Sequence, residues 1–538
     1  MAKDKKPLTI QLPRDALSRI RLGHSFAECD IIRDAPGLFV QTQSTAAAVE
    51  YGEQRSKCFF IGRRGTGKTA LTYFIKSRIK NTIDINPLLN APLGIPVNIA
   101  EFTKFNQPPF RTLIASYKRA LMDEVLLTWV ETKRVQESKL VRQLAKELNN
   151  DDRKDFDLRL LEAFKVGLEA LQGNEQDIWL REIKREKTVV KEMAKLCDDS
   201  SWHYTLLIDR IDELWDGTDE AVVFLMALMH ACVELSSACA FVRPLLFLRE
   251  NIFDRVRKLD NEFARLETWT VSLGWSEPYL VEMIERRLNH PFTAKLPLGG
   301  TTWDYFFEQV DGKSSREYVF AFCQDRPRDV LTFCEFAIAT AVDARRQRVT
   351  FDDLKLARQR FSENRLKDLG DEYAENFPII QLVLNSFFGL GIEFTLAGLE
   401  AFIKKLIVEP RIVSACGTWL FHHHAPERFA ELLWNIGFLG IGNGSVVFRS
   451  PGANDAAHPP ITSAARFVVH GTYRAACYYT TKLSRLLRRN TRSNRVVSLT
   501  NCRTRYRQTV IGPPCKRWPT NSKRFRQARR MPMILRTL

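Results

Sequence analysis

Eight consecutive residues, Gly62-Arg63-Arg64-Gly65-Thr66-Gly67-Lys68-Thr69, fit the spacing G-x-x-x-x-G-K-[ST] in full. The residue types explain what such a loop can do. Glycines let the backbone curl so that its N–H groups face one point, which suits phosphate oxygens. Lys68 can reach the outer phosphates of a nucleoside triphosphate as a point charge, and the Thr69 hydroxyl can ligate Mg²⁺. A helix that starts at the loop adds the positive end of its dipole. The candidate nucleotide-contacting set is therefore Gly62, Arg63, Arg64, Gly65, Thr66, Gly67, Lys68, Thr69 and Ala70.

Three further stretches hold matching chemistry. Leu206-Leu207-Ile208-Asp209-Arg210-Ile211-Asp212-Glu213 is an apolar strand pattern that ends in acids. Asp209 is the candidate for Mg²⁺, through water, and Asp212 or Glu213 for positioning the attacking water. The bland alternative is an acidic cluster opening a helix. Leu246-Phe247-Leu248-Arg249 ends in a guanidinium suited to sensing a terminal phosphate, with an ion pair to Glu250 or another acid as the alternative. In Arg326-Pro327-Arg328-Asp329, Pro marks a helix start, and Arg328 could reach the nucleotide from beyond the loop's own domain. Arg326 is its rival, and local salt bridging is the bland reading.

Positioning these residues requires strands whose ends meet. Lys57–Ile61, Pro96–Ile99, Thr205–Ile208, Leu245–Leu248 and Trp269–Leu273 read as short buried strands, with helical patterns between them. That alternation predicts an α/β fold with a parallel sheet. Leu71, Phe74, Ile75 and Ile79 put one apolar face on the helix after the loop. Residues 1–56 read as an N-terminal segment, helical near Ala46–Tyr51. Residues 57–274 read as the nucleotide domain, with a helical insertion at 104–199 that serves as a lid or a partner-binding arm. Residues 275–374 read as a helical lid. Residues 375–478 show three helical stretches, Ile379–Phe388, Leu396–Leu406 and Arg428–Ile436, then two β-like runs, Ser445–Arg449 and Arg466–His470. This is a winged-helix-like pattern.

Charge is distributed unevenly. Positions 456–538 hold 19 Lys and Arg and no Asp or Glu, so the net +17 of the 538-residue chain falls to −2 for the rest. A basic partner surface is thus expected only in the tail, 479–538, either as a disordered nucleic-acid arm or as a stretch without selected structure. The 11 cysteines are scattered singly, without zinc-ligand spacing, and no secretory signal is visible. A reducing, cytoplasmic setting fits. The longest apolar run, Ala221–Met229, is too short to cross a bilayer and reads as a buried helix, so no membrane partner is expected. His422-His423-His424 lacks further ligands at metal spacing and reads as a loop or helix start.

Together the motifs resemble the AAA+/STAND branch of P-loop ATPases. Asp209-Arg210-Ile211-Asp212-Glu213 is similar to the second motif of NACHT- and KAP-type members. Phe247-Leu248-Arg249-Glu250-Asn251-Ile252-Phe253 also looks KAP-like. Arg326–Asp329 and the winged-helix-like region resemble the lid and C-terminal module of origin-recognition ATPases. The resemblance covers about residues 20–475. It implies a five-stranded sheet in the order 5-1-4-3-2, ATP and Mg²⁺ as cofactors, homo-oligomerisation, and an arginine supplied by a neighbouring subunit. Origin-type members carry an acid directly after the Mg²⁺ aspartate. Arg210 stands there in this chain, so their catalytic acid does not carry over. Three readings follow: an ATP-hydrolysing switch in bacterial genome defence or maintenance with a DNA or protein partner, a DNA-binding loader or initiator, and a non-hydrolysing nucleotide-binding scaffold.

Overall fold

The computed structural model describes residues 12–24, 26–49, 57–86, 108–129, 138–149, 156–172, 187–196, 203–211, 215, 217–312, 314–415, 418–449 and 458–477. All of them lie in the compact unit Met1–Thr480. Asp212, Glu213, the run Pro96–Ile99 and the basic tail lie outside the described residues.

Five strands, β1 (Phe59–Ile61), β2 (Thr82–Ile85), β3 (Tyr204–Ile208), β4 (Val242–Leu248) and β5 (Thr270–Ser272), form one sheet in the order β2-β3-β4-β1-β5. Every pairing is parallel. This is the sheet of a P-loop α/β fold, and its order is the expected 5-1-4-3-2 read from the other edge. The second strand of the sheet is Thr82–Ile85. It sits at an edge, and its residues other than Ile85 are half-buried or exposed, which left little apolar signal.

Both faces of the sheet are dry, because a parallel sheet is covered on both sides by its crossover helices. Ile61, Leu206, Ile208, Leu246 and Leu248 point into one core, with the helix Asp219–Ala238 and the insertion helices. Phe60, Leu207, Leu245 and Phe247 point into the other, with the helix Lys68–Arg78 and the short helix Gln43–Val49. The alternation follows from the two-residue side-chain period of a strand. Asp219–Ala238 is long and apolar enough to cross a bilayer by length and composition. Its residues from Ala221 to Val233 are buried within this core.

The insertion is helical over Pro108–Trp129, Lys139–Asn149, Phe156–Gln172 and 187–196. After β5 come the helices Glu277–Asn289, Pro327–Asp343 and Phe351–Tyr373, with two shorter ones between. They share a core with Ala16, Leu17, Ile20, Leu22 and Val40 of the N-terminal segment.

A separate core holds the C-terminal module. Its main elements run helix Ile380–Asn385, β6 (Glu393–Thr395), helix Leu396–Leu406, helix Pro426–Asn435, β7 (Leu439–Gly442), β8 (Arg466–Val469). The strands form an antiparallel sheet ordered β6-β8-β7. Two details depart from the sequence pattern. The three-residue edge strand β6 carried no readable signal. The first hairpin strand is Leu439–Gly442, and Ser445–Arg449 joins it only through a bridge between Ile441 and Val447. At Gly440 the Phe448 ring packs against the strand. A Cβ at Gly440 would come within 2.6 Å of that ring.

Candidate functional site

The parallel register brings the motifs to one edge. Ile61 pairs with Leu248, and Ile208 with Leu246. The strands therefore deliver Gly62, Asp209 and Arg249 to the same carboxyl end of the sheet, where open α/β folds bind ligands. The Gly62 N–H donates to the Leu248 carbonyl at 3.1 Å, which fixes the loop's first residue to β4.

Beyond Gly62 the chain turns through Gly65 (φ 89°) and Gly67 (φ 91°). Positive φ at both positions is the reason glycine stands there. Gly67 caps the helix Lys68–Arg78. Lys68 Nζ donates to the carbonyls of Gly62 (2.8 Å) and Arg63 (3.2 Å). Burial, and then Arg249 nearby, push the Lys68 pKa down to about 7, while Asp209 works the other way. Asp209 is 8% exposed. Burial raises its pKa, opposed first by a side-chain hydrogen bond with Thr69. The positions assigned to Mg²⁺ are thus already in contact.

A cavity of about 290 Å³ opens on this edge. Arg64, Gly65, Gly67, Lys68, Thr69 and Ala70 line it from the loop, with Asp209, Arg210 and Arg249 from the strand ends. Arg328 enters from the lid side. Its backbone N–H donates to Gly65 O at 3.2 Å, and its guanidinium lies 3.6 Å from Asp368 and over the Phe26 ring. Burial first, with Arg64 and Arg365 adding to it, lowers the Arg328 pKa to about 10 although Asp368 opposes this.

Of the two rival arginines, Arg328 faces the cavity. Arg326 is 1% exposed, bonded to Asp329 at 2.7 Å and to the Arg64 carbonyl at 3.0 Å. Glu250 pairs with Arg449, not with its neighbour Arg249. Arg210 adopts φ 63° and reaches Glu28 at 2.5 Å. One assignment needs correcting: the Arg63 side chain does not line the cavity. It turns away and donates to the Ile436 carbonyl.

The sequence reading missed the other wall. His24, Phe26, Ile32, Leu38, Phe39 and Val40 of the N-terminal segment close the cavity, with Met283 and Leu331 opposite. Asp30 fixes this wall. It accepts N–H bonds from His24 and Ile32 (2.8 Å each) and pairs with buried Arg287 at 3.0 Å. The run Ile31-Ile32-Arg33-Asp34-Ala35-Pro36-Gly37-Leu38-Phe39-Val40 has no helical or strand period, so only its apolar ends hinted at burial. Trp275 was also missed. Its indole N–H donates to Thr66 O at 2.9 Å, holding that loop carbonyl from the segment after β5. Among the described residues no cluster of three or more His, Cys, Asp or Glu could hold a metal by itself.

Residues 278–370 match the model of the FunZ-associated C-terminal helical domain. This span includes Arg326 and Arg328. The putative transposon gamma-delta 80.3 kDa protein of Escherichia coli (strain K12) is 24% identical over 431 residues. The match covers 75% of this chain and 59% of that protein, so the chain spans less than two thirds of that relative's length. Allergen Alt a 2 of Alternaria alternata is 28% identical over 151 residues, covering 28% of this chain and 80% of that one. The solved Orc1 protein of Aeropyrum pernix in complex with DNA aligns over 88% of this chain and 98% of its own, at 16% identity and a TM-score of 0.33.

Proposed function

We propose that the chain is a Mg-dependent ATP-binding and ATP-hydrolysing switch of the AAA+/STAND type. One observation carries this reading. The phosphate loop, the Thr69–Asp209 pair, Arg249 and Arg328 all line one cavity, although they come from four separate stretches of sequence. Bound in that cavity, a nucleoside triphosphate would lay its phosphates along the Gly65–Thr69 amides and Lys68. The base would lie toward the apolar wall of Ile32, Leu38, Phe39 and Val40.

Lys68 needs the counter-charge. A buried ammonium beside Arg249 is disfavoured, and a polyphosphate reverses that balance. The same logic fits Mg²⁺ at Thr69 and Asp209. Asp209 is a buried acid with a hydroxyl beside it, and Mg²⁺ usually takes one or two protein ligands and completes its shell with phosphate and water. There the ion would neutralise charge on the outer phosphates. Arg249 would contact the terminal phosphate from the sheet and Arg328 from the lid, so cleavage changes the force between the two layers. Asp212 and Glu213 remain the proposed water-positioning acids, three and four residues after Asp209.

The biological setting we propose is bacterial genome defence or maintenance, through self-assembly or a DNA or protein partner. The relative described as a transposon protein supports a link to DNA. A loader-type reading has one observation of its own. The C-terminal order helix-strand-helix-helix-strand-strand, with its β6-β8-β7 sheet, supports a winged-helix reading. Its third helix, Pro426–Asn435, however, exposes Glu427, Arg428 and Glu431, a poor surface for phosphate backbones.

Turnover and equilibrium binding of Mg-ATP test the main reading. Lys68→Ala should weaken binding by roughly two orders of magnitude, the loss of a charge-assisted contact or more. Asp209→Asn should spare nucleotide binding more than turnover and abolish the Mg²⁺ dependence. Unchanged turnover in both variants would remove the site assignment. Saturable binding by wild type without turnover would leave the scaffold reading.

A further inference from the structure

Three consecutive carbonyls of the phosphate loop are held from outside the nucleotide domain. Thr66 O is held by Trp275, Gly65 O by the Arg328 amide, and Arg64 O by Arg326. Only at Arg63 does a loop side chain reach the C-terminal module. Its Nη2 donates to the Ile436 carbonyl at 2.5 Å, and the residue is 2% exposed.

Three features show that this contact is built. Ile436 is the C-cap of the helix Pro426–Asn435, so the guanidinium meets the negative end of that helix. The next residue is Gly437 at φ 77°, and a Cβ there would lie 2.6 Å from Arg63 Nη1. A side chain at 437 would push the guanidinium aside. Glu372, at the end of the lid helix Phe351–Tyr373, accepts the Arg64 N–H at 3.3 Å and lies close enough to act electrostatically on Arg63.

The contact is also incompletely satisfied. Arg63 Nε and Nη1 are buried and make no hydrogen bond among the described residues. With most of its donors unused, the guanidinium ties the module through few bonds, so the docked arrangement is held but can be released. Beside it the two layers do not close fully. A cleft of about 710 Å³ separates the helix Glu250–Leu259 from the helix Pro426–Asn435. It is bridged by Arg449, which pairs with Glu250 and donates to the Asn435 carbonyl at 3.1 Å. Both ties leave from residues adjacent to phosphate-facing groups: Arg63 precedes Arg64, and Glu250 follows Arg249.

We infer that Arg63 is a coupling residue, through which the state of the phosphate loop sets how firmly the C-terminal module docks. It does not serve the nucleotide itself. The docking tie stands on geometry alone, and its response to nucleotide rests on the ATP-binding reading above.

Amide hydrogen exchange of residues 433–449 in the full chain tests both parts. Without nucleotide, Arg63→Ala should speed exchange there about tenfold, the effect of one lost hydrogen bond to a charged group. Arg63→Lys, which keeps a donor, should restore most of the protection. Gly437→Ala fills the slot without touching the loop and should match Arg63→Ala, which guards against a folding artefact in either variant. Unchanged exchange in Arg63→Ala and Gly437→Ala would overturn the inference. In wild type, Mg-ATP and Mg-ADP should give different exchange in this segment. In Arg63→Ala, measured at saturating nucleotide, the two should coincide. A difference that survives in Arg63→Ala overturns the coupling. If wild type takes up no Mg-nucleotide, the ATP reading fails, while the nucleotide-free comparison still decides the docking tie.

Discussion

The phosphate loop is joined to two bodies, and the two joints are made of opposite materials. Toward the sheet, Gly62 continues β1 between β4 and β5, and the side chains of β1 and β4 are buried on both faces. Toward the C-terminal module, the joint is one guanidinium in a glycine slot, an Arg449–Glu250 pair and a polar cleft. Dry apolar packing resists opening because every contact is lost together. A guanidinium with unused donors holds through few bonds, so this joint can open without the loss of a whole core. One joint is a foundation and the other a hinge, and the loop between them can pass force from phosphate to module.

That contrast can be broken most strongly at the foundation. Leu246 is fully buried in the central part of the sheet. Leu246→Ala should cost about 2–5 kcal/mol, measured by denaturant unfolding, because the fixed strands cannot collapse onto the cavity. A loss under about 1 kcal/mol would show that the sheet gives way as readily as the hinge.

The next effect is electrostatic and belongs to the loop's inner face. Lys68, held down to about 7, is disfavoured as a cation in the free protein. Bound phosphates favour the cation and raise its pKa, so binding takes up a proton above pH 7. ATP affinity should be flat below pH 7 and fall up to about tenfold per pH unit above it, the limit for linkage to one proton. Calorimetry in buffers of different ionisation enthalpy should show proton uptake at pH 8 and none in Lys68→Ala. Affinity independent of pH from 6 to 9 would contradict the depressed lysine.

The smallest effect is a control within the module itself. Arg466 and Glu393 pair at 2.6 Å across the β6–β8 edge, each about half exposed. Water already screens this pair, so Arg466→Ala should leave the melting temperature at the wild-type value. Exchange at 433–449 should also stay as in wild type. A change equal to that in Arg63→Ala would mean that any lost charge loosens the module.

Much of the site was legible in the chain. The loop and the strand ends at Asp209 and Arg249 announce themselves by local pattern. Each motif residue follows directly on a strand or opens a helix, so its position depends on neighbours a few residues away. Arg328 was legible as a candidate but not separable from Arg326. The two differ only in which way their side chains face once Pro327 starts the helix, and the partners that decide this, Asp329, Glu372 and Asp368, are up to 46 residues away. Edge strands were the least legible elements. β2 and β6 are short and half-solvated, so burial leaves little imprint on their composition.

The sequence by itself determined the glycine-rich turn between β1 and its helix, the alternation that yields a parallel sheet, and the dry two-sided burial of its central strands. Those features are set by short-range backbone geometry and by side-chain period. Only the tertiary structure decided that residues 24–40 wall the cavity, that Trp275 holds the loop at Thr66, and that Arg63 faces Ile436 across 373 residues of chain. Contacts at such separation are selected by the packing of whole layers, and a single guanidinium carries no local mark of the carbonyl it will meet.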